Sequence, residues 1–265
     1  MKHFLKLYFF LLLFIGEASH AQNLYKNVKT IKQEYDRMCI DKQHNFYAYY
    51  EEGFVKYDKE GNKLKTYRNP EVGSITFMDI NPAGQILLLF EDIGMIKILD
   101  KNLIEIGKIQ LSKLNVSHIT FSLFTEDGNI LMYDVTDHSI FKTDFTGVIK
   151  QRKTKLVMTR EEINPIDLIE ENNVIIMVDS IQGIFVFDYY GKQENSIEKL
   201  GITRIQEINK QIIFAQNKQI SVVNLITKDN KLVNIEAHQH LFTQAYFVGS
   251  TLIVGEGKNI FLYNE

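Results

Sequence analysis

The sequence predicts an all-β fold made of six like units, and three observations predict it. First, a six-residue run of strand formers ending in Asp or Asn recurs six times. The copies are GFVKYD ending at Asp58, MIKILD at Asp100, SIFKTD at Asp144, GIFVFD at Asp188, QISVVN at Asn224 and NIFLYN at Asn264. Second, another apolar run precedes each copy: FYAYY from Phe46, ILLLF from Ile86, ILMY from Ile130, VIIMV from Val174, IIFA from Ile212 and LIV from Leu252. Both markers keep a spacing of about 40 residues, the period of a propeller blade. Third, the runs are followed by turn chemistry: DKEG at 58–61, DFTG at 144–147 and DYYG at 188–191. An Asp side chain accepts a bond from the backbone N–H two residues on, and the Gly supplies the positive φ that closes the turn. Ile, Val, Phe, Tyr and Thr dominate, and no 3.6-residue period is sustained, which disfavours helices.

The elements follow in order along the chain. Residues 1–21, MKHFLKLYFFLLLFIGEASHA, have Lys2 and Lys6, an apolar run from Leu7 to Ile15, and the small-x-small site Ser19-His20-Ala21. This is the layout of a secretory signal peptide cleaved after Ala21. No later apolar run is long enough to span a bilayer, so no transmembrane anchor is expected after signal removal. The remainder, 22–265, reads as one domain. Its units fall at about 34–68, 75–110, 118–156, 165–199, 202–236 and 243–264. Second and third strands are apolar on both faces, as in a sheet packed between two neighbours. Fourth strands are polar (NKLKTY, GVIKQRKTK, GKQENSIEK), which suits an outer edge where Lys discourages pairing with another chain. The last unit has only three strands, while LYKNVKTIK at 24–32 has no unit of its own. The N-terminal strand is therefore expected to complete the last blade and close a six-bladed β-propeller.

Three segments carry a family resemblance. IDKQHNFYAY looks like a D-x-x-G-N-hydrophobic entry to the second strand, with His44 where Gly is usual, and INPAGQILLL and TEDGNILMY come closer to it. The chain resembles six-bladed propellers of the NHL and TolB-like kind. More narrowly, it is similar to exported propeller proteins of Bacteroidetes envelopes. The resemblance implies the fold over the whole mature chain and carries over no activity.

Composition narrows the function classes. With 30 basic and 33 acidic residues and a formal net charge of −3, the chain does not attract nucleic acid or anionic lipid strongly. Cys39 is the single cysteine, so no intrachain disulfide forms, and a buried free thiol is expected. Trp is absent, which weighs against sugar binding and Trp-marked cofactor propellers. There is no G-x-S-x-G elbow and no H-E-x-x-H, and VGEGKN at 254–259 lacks the spacing of a phosphate loop, so no catalytic residue is assigned.

The connectors between second and third strands, together with those between blades, gather on one propeller face, where functional sites are expected. A partner-binding surface is accordingly expected from Glu51, Arg68, Glu91, Asp92, Asp137, His138, Arg160 and Asp179. His238 and His240 stand at i and i+2, so both imidazoles of an extended segment can share one ion. The expected function is an exported, non-catalytic binding or scaffold module of the cell envelope, periplasmic or surface-associated, whose partner is an envelope protein. The alternative is a metal-assisted hydrolase of the lactonase type with its site at the central channel. Ca²⁺ or Zn²⁺ enters only under that alternative, and no other cofactor is implied. A third reading is a small-ligand sensor using the central channel.

Overall fold

A computed structural model describes residues 24–158, 163–171, 173–236 and 241–265. The expected signal peptide at 1–21 lies outside these residues. Apart from a 3₁₀ turn at Leu111–Lys113, every regular element among the described residues is a strand. No helix there is long and apolar enough to cross a membrane.

The N-terminal strand β1 (Lys26–Lys32) precedes five complete sheets. Blade 1 is β2 (Arg37–Ile40), β3 (Phe46–Tyr50), β4 (Gly53–Tyr57) and β5 (Lys63–Arg68). Blade 2 is β6 (Phe77–Ile80), β7 (Ile86–Phe90), β8 (Met95–Leu99) and β9 (Glu105–Gln110). Blade 3 is β10 (Ile119–Phe124), β11 (Ile130–Asp134), β12 (Ser139–Thr143) and β13 (Ile149–Lys155). Blade 4 is β14 (Pro165–Glu171), β15 (Val174–Asp179), β16 (Gly183–Asp188) and β17 (Gln193–Ile197). Blade 5 is β18 (Ile205–Ile208), β19 (Gln211–Gln216), β20 (Gln219–Asn224) and β21 (Asn230–Leu232). Blade 6 is β22 (Gln244–Val248), β23 (Thr251–Glu256) and β24 (Asn259–Asn264), with β1 as its fourth strand.

The ring therefore closes as the sequence predicts. β1 runs antiparallel to β24, from Lys26 opposite Asn264 to Lys32 opposite Asn259, with a bulge between Asn27 and Lys29. Tyr25 adds a parallel bridge to Ile235, tying the start of the chain to the end of blade 5 as well. First strands touch their neighbours all the way round, β2 against β6 and, at the seam, β22 against β2.

The turn chemistry is as expected. The N–H groups of Thr146 and Val148 donate to Asp144 Oδ1 at 2.9 and 3.0 Å, and those of Tyr190 and Lys192 donate to Asp188 Oδ1 at 2.9 and 2.8 Å. Gly61, Gly147 and Gly191 have φ of 74°, 88° and 82°. His44, standing where Gly is usual, takes φ 64°.

Burial follows strand order. All five residues of β7 (ILLLF) and of β8 (MIKIL) are buried, whereas β5, β13 and β21 are mostly exposed. Each fully buried Leu or Ile contributes roughly 1.5–3 kcal/mol by leaving water. The apolar clusters lie between blades: Tyr47, Tyr49 and Phe54 of blade 1 pack with Met78, Leu88 and Phe90 of blade 2. Such packing holds neighbouring sheets in fixed orientation and so fixes the shape of the axis they surround.

Candidate functional site: a charged funnel on the ring axis

A first strand faces the axis with one edge unpaired. Its axial N–H and C=O groups have no sheet partner there, and an unpaired buried backbone group is costly. Side chains from the preceding blade meet several of them. Asp79 Oδ2 accepts the N–H of Phe124 at 2.7 Å, and Asp167 Oδ2 accepts that of Ile205 at 3.0 Å. Gln206 accepts the N–H of Phe247 at 2.7 Å, and Gln244 accepts the N–H of Met38 at 2.8 Å, which carries the pattern across the seam. Cys39 holds the register in blade 1 that Asp79 holds in blade 2, each one residue before the last pair of its hairpin.

Inside these edges lies a cavity of about 590 Å³. It is walled by the six first strands and the turns that follow them, so it opens on the face of the first-to-second-strand turns. Carboxylates stand at two levels. Asp79 and Asp167 are deep, while Glu126, Glu170, Glu171 and Glu207 lie towards the mouth. Lys42 reaches from the first turn of blade 1 to Glu171 on blade 4, with Nζ 3.4 Å from the carboxylate. Those blades face each other across a six-membered ring, so the bridge spans the opening.

The deep acids are strongly perturbed. Burial pushes the Asp79 carboxyl up to about 6, against the pull of the Phe124 and Ile80 N–H groups and of Lys42. Burial also raises Asp167, opposed by Arg204, Arg37 and the N–H groups of Ile205 and Leu168. Nearer the mouth, burial raises Glu170 and Glu207. Asp41 differs: burial raises it, but bonds from Asn45 and Tyr47 and the charge of Lys56 outweigh that and hold it below the ordinary carboxylate value. Its carboxylate is fully used by the first turn. Cys39 is deep within the ring yet keeps a part-exposed surface on the cavity wall. Burial, and then the charges of Asp79, Asp41 and Asp167, push its thiol well up, so its thiolate chemistry is slow.

The residues expected to bind a partner lie elsewhere. Glu51 and Asp92 are exposed in second turns. Arg68 pairs with Glu52, and Glu91 Oε1 lies 2.5 Å from His118 Nε2. Asp137 takes Lys153 at 2.7 Å and the Ser139 hydroxyl at 2.6 Å. His138, at φ 53°, faces the Tyr133 hydroxyl at 2.7 Å through Nδ1. Asp179 is buried and accepts the N–H groups of Asn164, Ile181 and Gln182 at 2.7–2.9 Å, tying a blade connector to its second turn. These groups are spread over four blades on the face away from the funnel mouth, and none lines the funnel. Arg160, His238 and His240 lie outside the described residues. Among the described residues, no three His, Cys, Asp or Glu side chains stand close enough to share a metal ion.

The funnel acids left a weak mark in the sequence. Asp79 is the single ionisable residue of the short apolar strand FMDI, and Asp167 interrupts the apolar start of PIDLIEE. An ionisable group there is costly unless something receives it, and that is the signal that could have singled them out.

No family model matches the chain. No curated protein matches it in sequence. Solved structures share its fold. A protein of unknown function from Bacteroides caccae is 15% identical, with a TM-score of 0.56 over 77% of this chain and 78% of that one. A catalytically inactive virginiamycin B lyase from Staphylococcus aureus, solved with quinupristin, is 14% identical, with a TM-score of 0.59 over 86% and 79%. A streptogramin B lyase is 13% identical, with a TM-score of 0.60 over 86% and 78%. At these identities the likeness concerns the fold alone, a β-propeller.

Proposed function

We propose that the protein is an exported binding module of the cell envelope that takes its ligand into the axial funnel. One observation carries this reading. A ring closed through its own N-terminus encloses a cavity of about 590 Å³, with charged groups from several blades converging on it. That volume is typical of small-ligand sites, and perturbed carboxyls in a cavity are the usual mark of one. The sequence pointed to the opposite face. There each nominated carboxylate or cation with a charged or hydrogen-bonding partner finds it locally, whereas the funnel gathers side chains from around the whole ring. The partner is an envelope molecule that inserts a group of funnel size.

The single cysteine makes the reading testable, because Cys39 lines the funnel. Envelope-extract fractions that raise the melting temperature of the mature chain are tested for slowing the reaction of Cys39 with methyl methanethiosulfonate. A ligand at about 100 times its Kd stabilises by about 2.7 kcal/mol, enough for a clear shift. Stabilisation with protected Cys39 supports the funnel. Stabilisation with unchanged labelling returns the site to the opposite face.

The metal-assisted hydrolase reading keeps one supporting observation: lyases are among the solved proteins of this fold. Elemental analysis of purified protein tests it. Absence of stoichiometric Ca²⁺ or Zn²⁺, with no melting shift on adding either, ends it.

A further inference from the structure

The geometry points to an alkylammonium ligand, an elongated amine on an aliphatic stem, for the funnel; this rests on the funnel being the binding site, as proposed above. The charge balance is the first reason. Seven carboxyls line the funnel; Asp41 is held by Lys56, and the other six, Asp79, Glu126, Asp167, Glu170, Glu171 and Glu207, face Lys42 and Arg204 on the wall, with Arg37 also acting on Asp167. Arg204 is partly engaged, since one guanidinium nitrogen donates to the carbonyls of Ile166 and Thr203.

Lys42 shows which cation the rim accepts. Its ammonium crosses the mouth and rests 3.4 Å from both Glu171 oxygens while its side chain stays 64% exposed. An exposed pair at that distance is worth little. A better-held ammonium therefore displaces it at small cost.

Tyr49 supplies an independent sign of a ligand. It is 3% exposed, yet among the described residues no group hydrogen-bonds its hydroxyl. It is also the sole cavity-lining residue that belongs to a second strand. Its pairing with Arg37, the first residue of β2, places it at the end of the funnel away from the mouth. Burial holds its phenol protonated against the pull of Arg37 and Arg204, and Asp167 also acts on it. That hydroxyl is not shut off from the cavity, so an occupant can replace water as its partner. Its oxygen can accept from an ammonium, and Asp167 supplies the charge.

Size and wall decide between an ion and an organic cation. The cavity is far larger than a bare ion, and no trio of ligating side chains among the described residues is close enough to hold one. Met78, Leu123, Phe124 and Ile205 offer an apolar wall for a methylene stem. The two acid levels fit a second ammonium. Asp167 and Glu171 lie four residues apart on β14, on the same side by the two-residue period and about 13 Å apart. A triamine such as spermidine approaches that span, and side-chain reach closes the rest. The same chemistry can come from a free polyamine or from a lysine side chain of a partner protein.

The experiment titrates the mature chain with spermidine, a lysine-containing peptide, Ca²⁺ and the uncharged control 1,6-hexanediol. Calorimetry and Cys39 labelling are read together. Spermidine or the peptide is expected to bind at one per chain and protect Cys39, with the diol and Ca²⁺ inert. Tighter spermidine binding assigns a free polyamine, and tighter peptide binding assigns a partner's lysine. Asp167→Asn keeps an acceptor for Ile205 and is expected to weaken binding about tenfold or more. Tyr49→Phe is expected to weaken it severalfold, whereas Lys42→Met should tighten it by removing the internal competitor. That gain cannot arise from misfolding. If no amine binds while an envelope ligand still protects Cys39, the ligand class is overturned and the funnel stands. Amine binding that leaves Cys39 labelling unchanged overturns the placement as well.

Discussion

Gln206 and Phe247 are joined in both directions across the boundary between blades 5 and 6. The Phe247 N–H donates to Gln206 Oε1 at 2.7 Å, and Gln206 Nε2 donates to the Phe247 carbonyl at 2.9 Å. An amide side chain thus stands in for the missing strand at the axial edge of β22. Gln206→Leu keeps most of the volume and removes both bonds. It is expected to cost roughly 1–3 kcal/mol, because a part-buried backbone donor and acceptor lose their partners. Urea unfolding measures the loss. Amide exchange at Phe247 locates it, and should accelerate there before it does in β23.

Gly183 shows why the opening residue of a third strand is constrained. Its φ is 110°, and a β-carbon there would overlap the Ile197 carbonyl oxygen and lie 2.8 Å from the Lys199 nitrogen. The fourth strand passes too close for any side chain. Gly183→Ala is expected to destabilise by about 3 kcal/mol or more, from strain plus backbone overlap. Gly257, in the second turn of blade 6, has φ 54° and no atom within 4 Å of a built β-carbon. Gly257→Asn should cost about 1 kcal/mol or less. Chemical denaturation of the two variants separates crowding from dihedral strain.

The wheel was legible in the sequence because its signals are local. A strand run, an Asp that caps its own turn and a Gly at positive φ sit within a few residues of one another in three units, and six copies of the strand run reinforce the reading. Closure was legible by counting, since a three-strand unit and an orphan strand have one joint solution. The funnel was not. Its residues come from all six blades, so no spacing links Asp79 to Asp167 or Lys42 to Glu171. Acidic residues in second turns drew attention instead, but their job is local: Asp179 satisfies three backbone N–H groups, and Asp137 holds Lys153 and Ser139. A lone acid in a short apolar strand is the fainter and more telling mark.

The seam makes the ring depend on its first residues. Besides its ladder to β24, β1 sends Lys29 Nζ to the Glu60 carbonyl at 2.9 Å, and the nearby Gln33 accepts the Tyr57 hydroxyl at 2.9 Å. The N-terminal segment therefore bridges blade 6 to blade 1. Deleting residues 22–32 from a chain that starts at Gln22 bares β24 as an open edge, which favours aggregation. The truncated protein is expected to lose its single cooperative melt and to self-associate, as read by calorimetry and light scattering. A synthetic peptide of residues 22–35 should restore the melt by strand addition. A truncated chain that melts like the full one would show that closure adds nothing to stability.

Asp79 sets a pH dependence whose sign is fixed by its direction of shift. Its folded value is about 6 against an ordinary 3.8. Between those values the native state holds more protons than the unfolded state, so stability falls as pH rises through the window. The contribution is most favourable below pH 3.8 and is lost above 6. The full loss is roughly 3 kcal/mol, since each unit is about 1.4 kcal/mol. Asp79→Asn keeps an oxygen for the Phe124 N–H and carries no titrating proton. Relative to wild type it should gain stability from pH 4 to about pH 6 and level off by pH 7, with little difference at the acid end. Melting temperatures of both proteins across that range measure the gap. Curves that stay parallel would mean that the carboxylate is charged throughout and that the funnel stabilises negative charge far better than its burial implies.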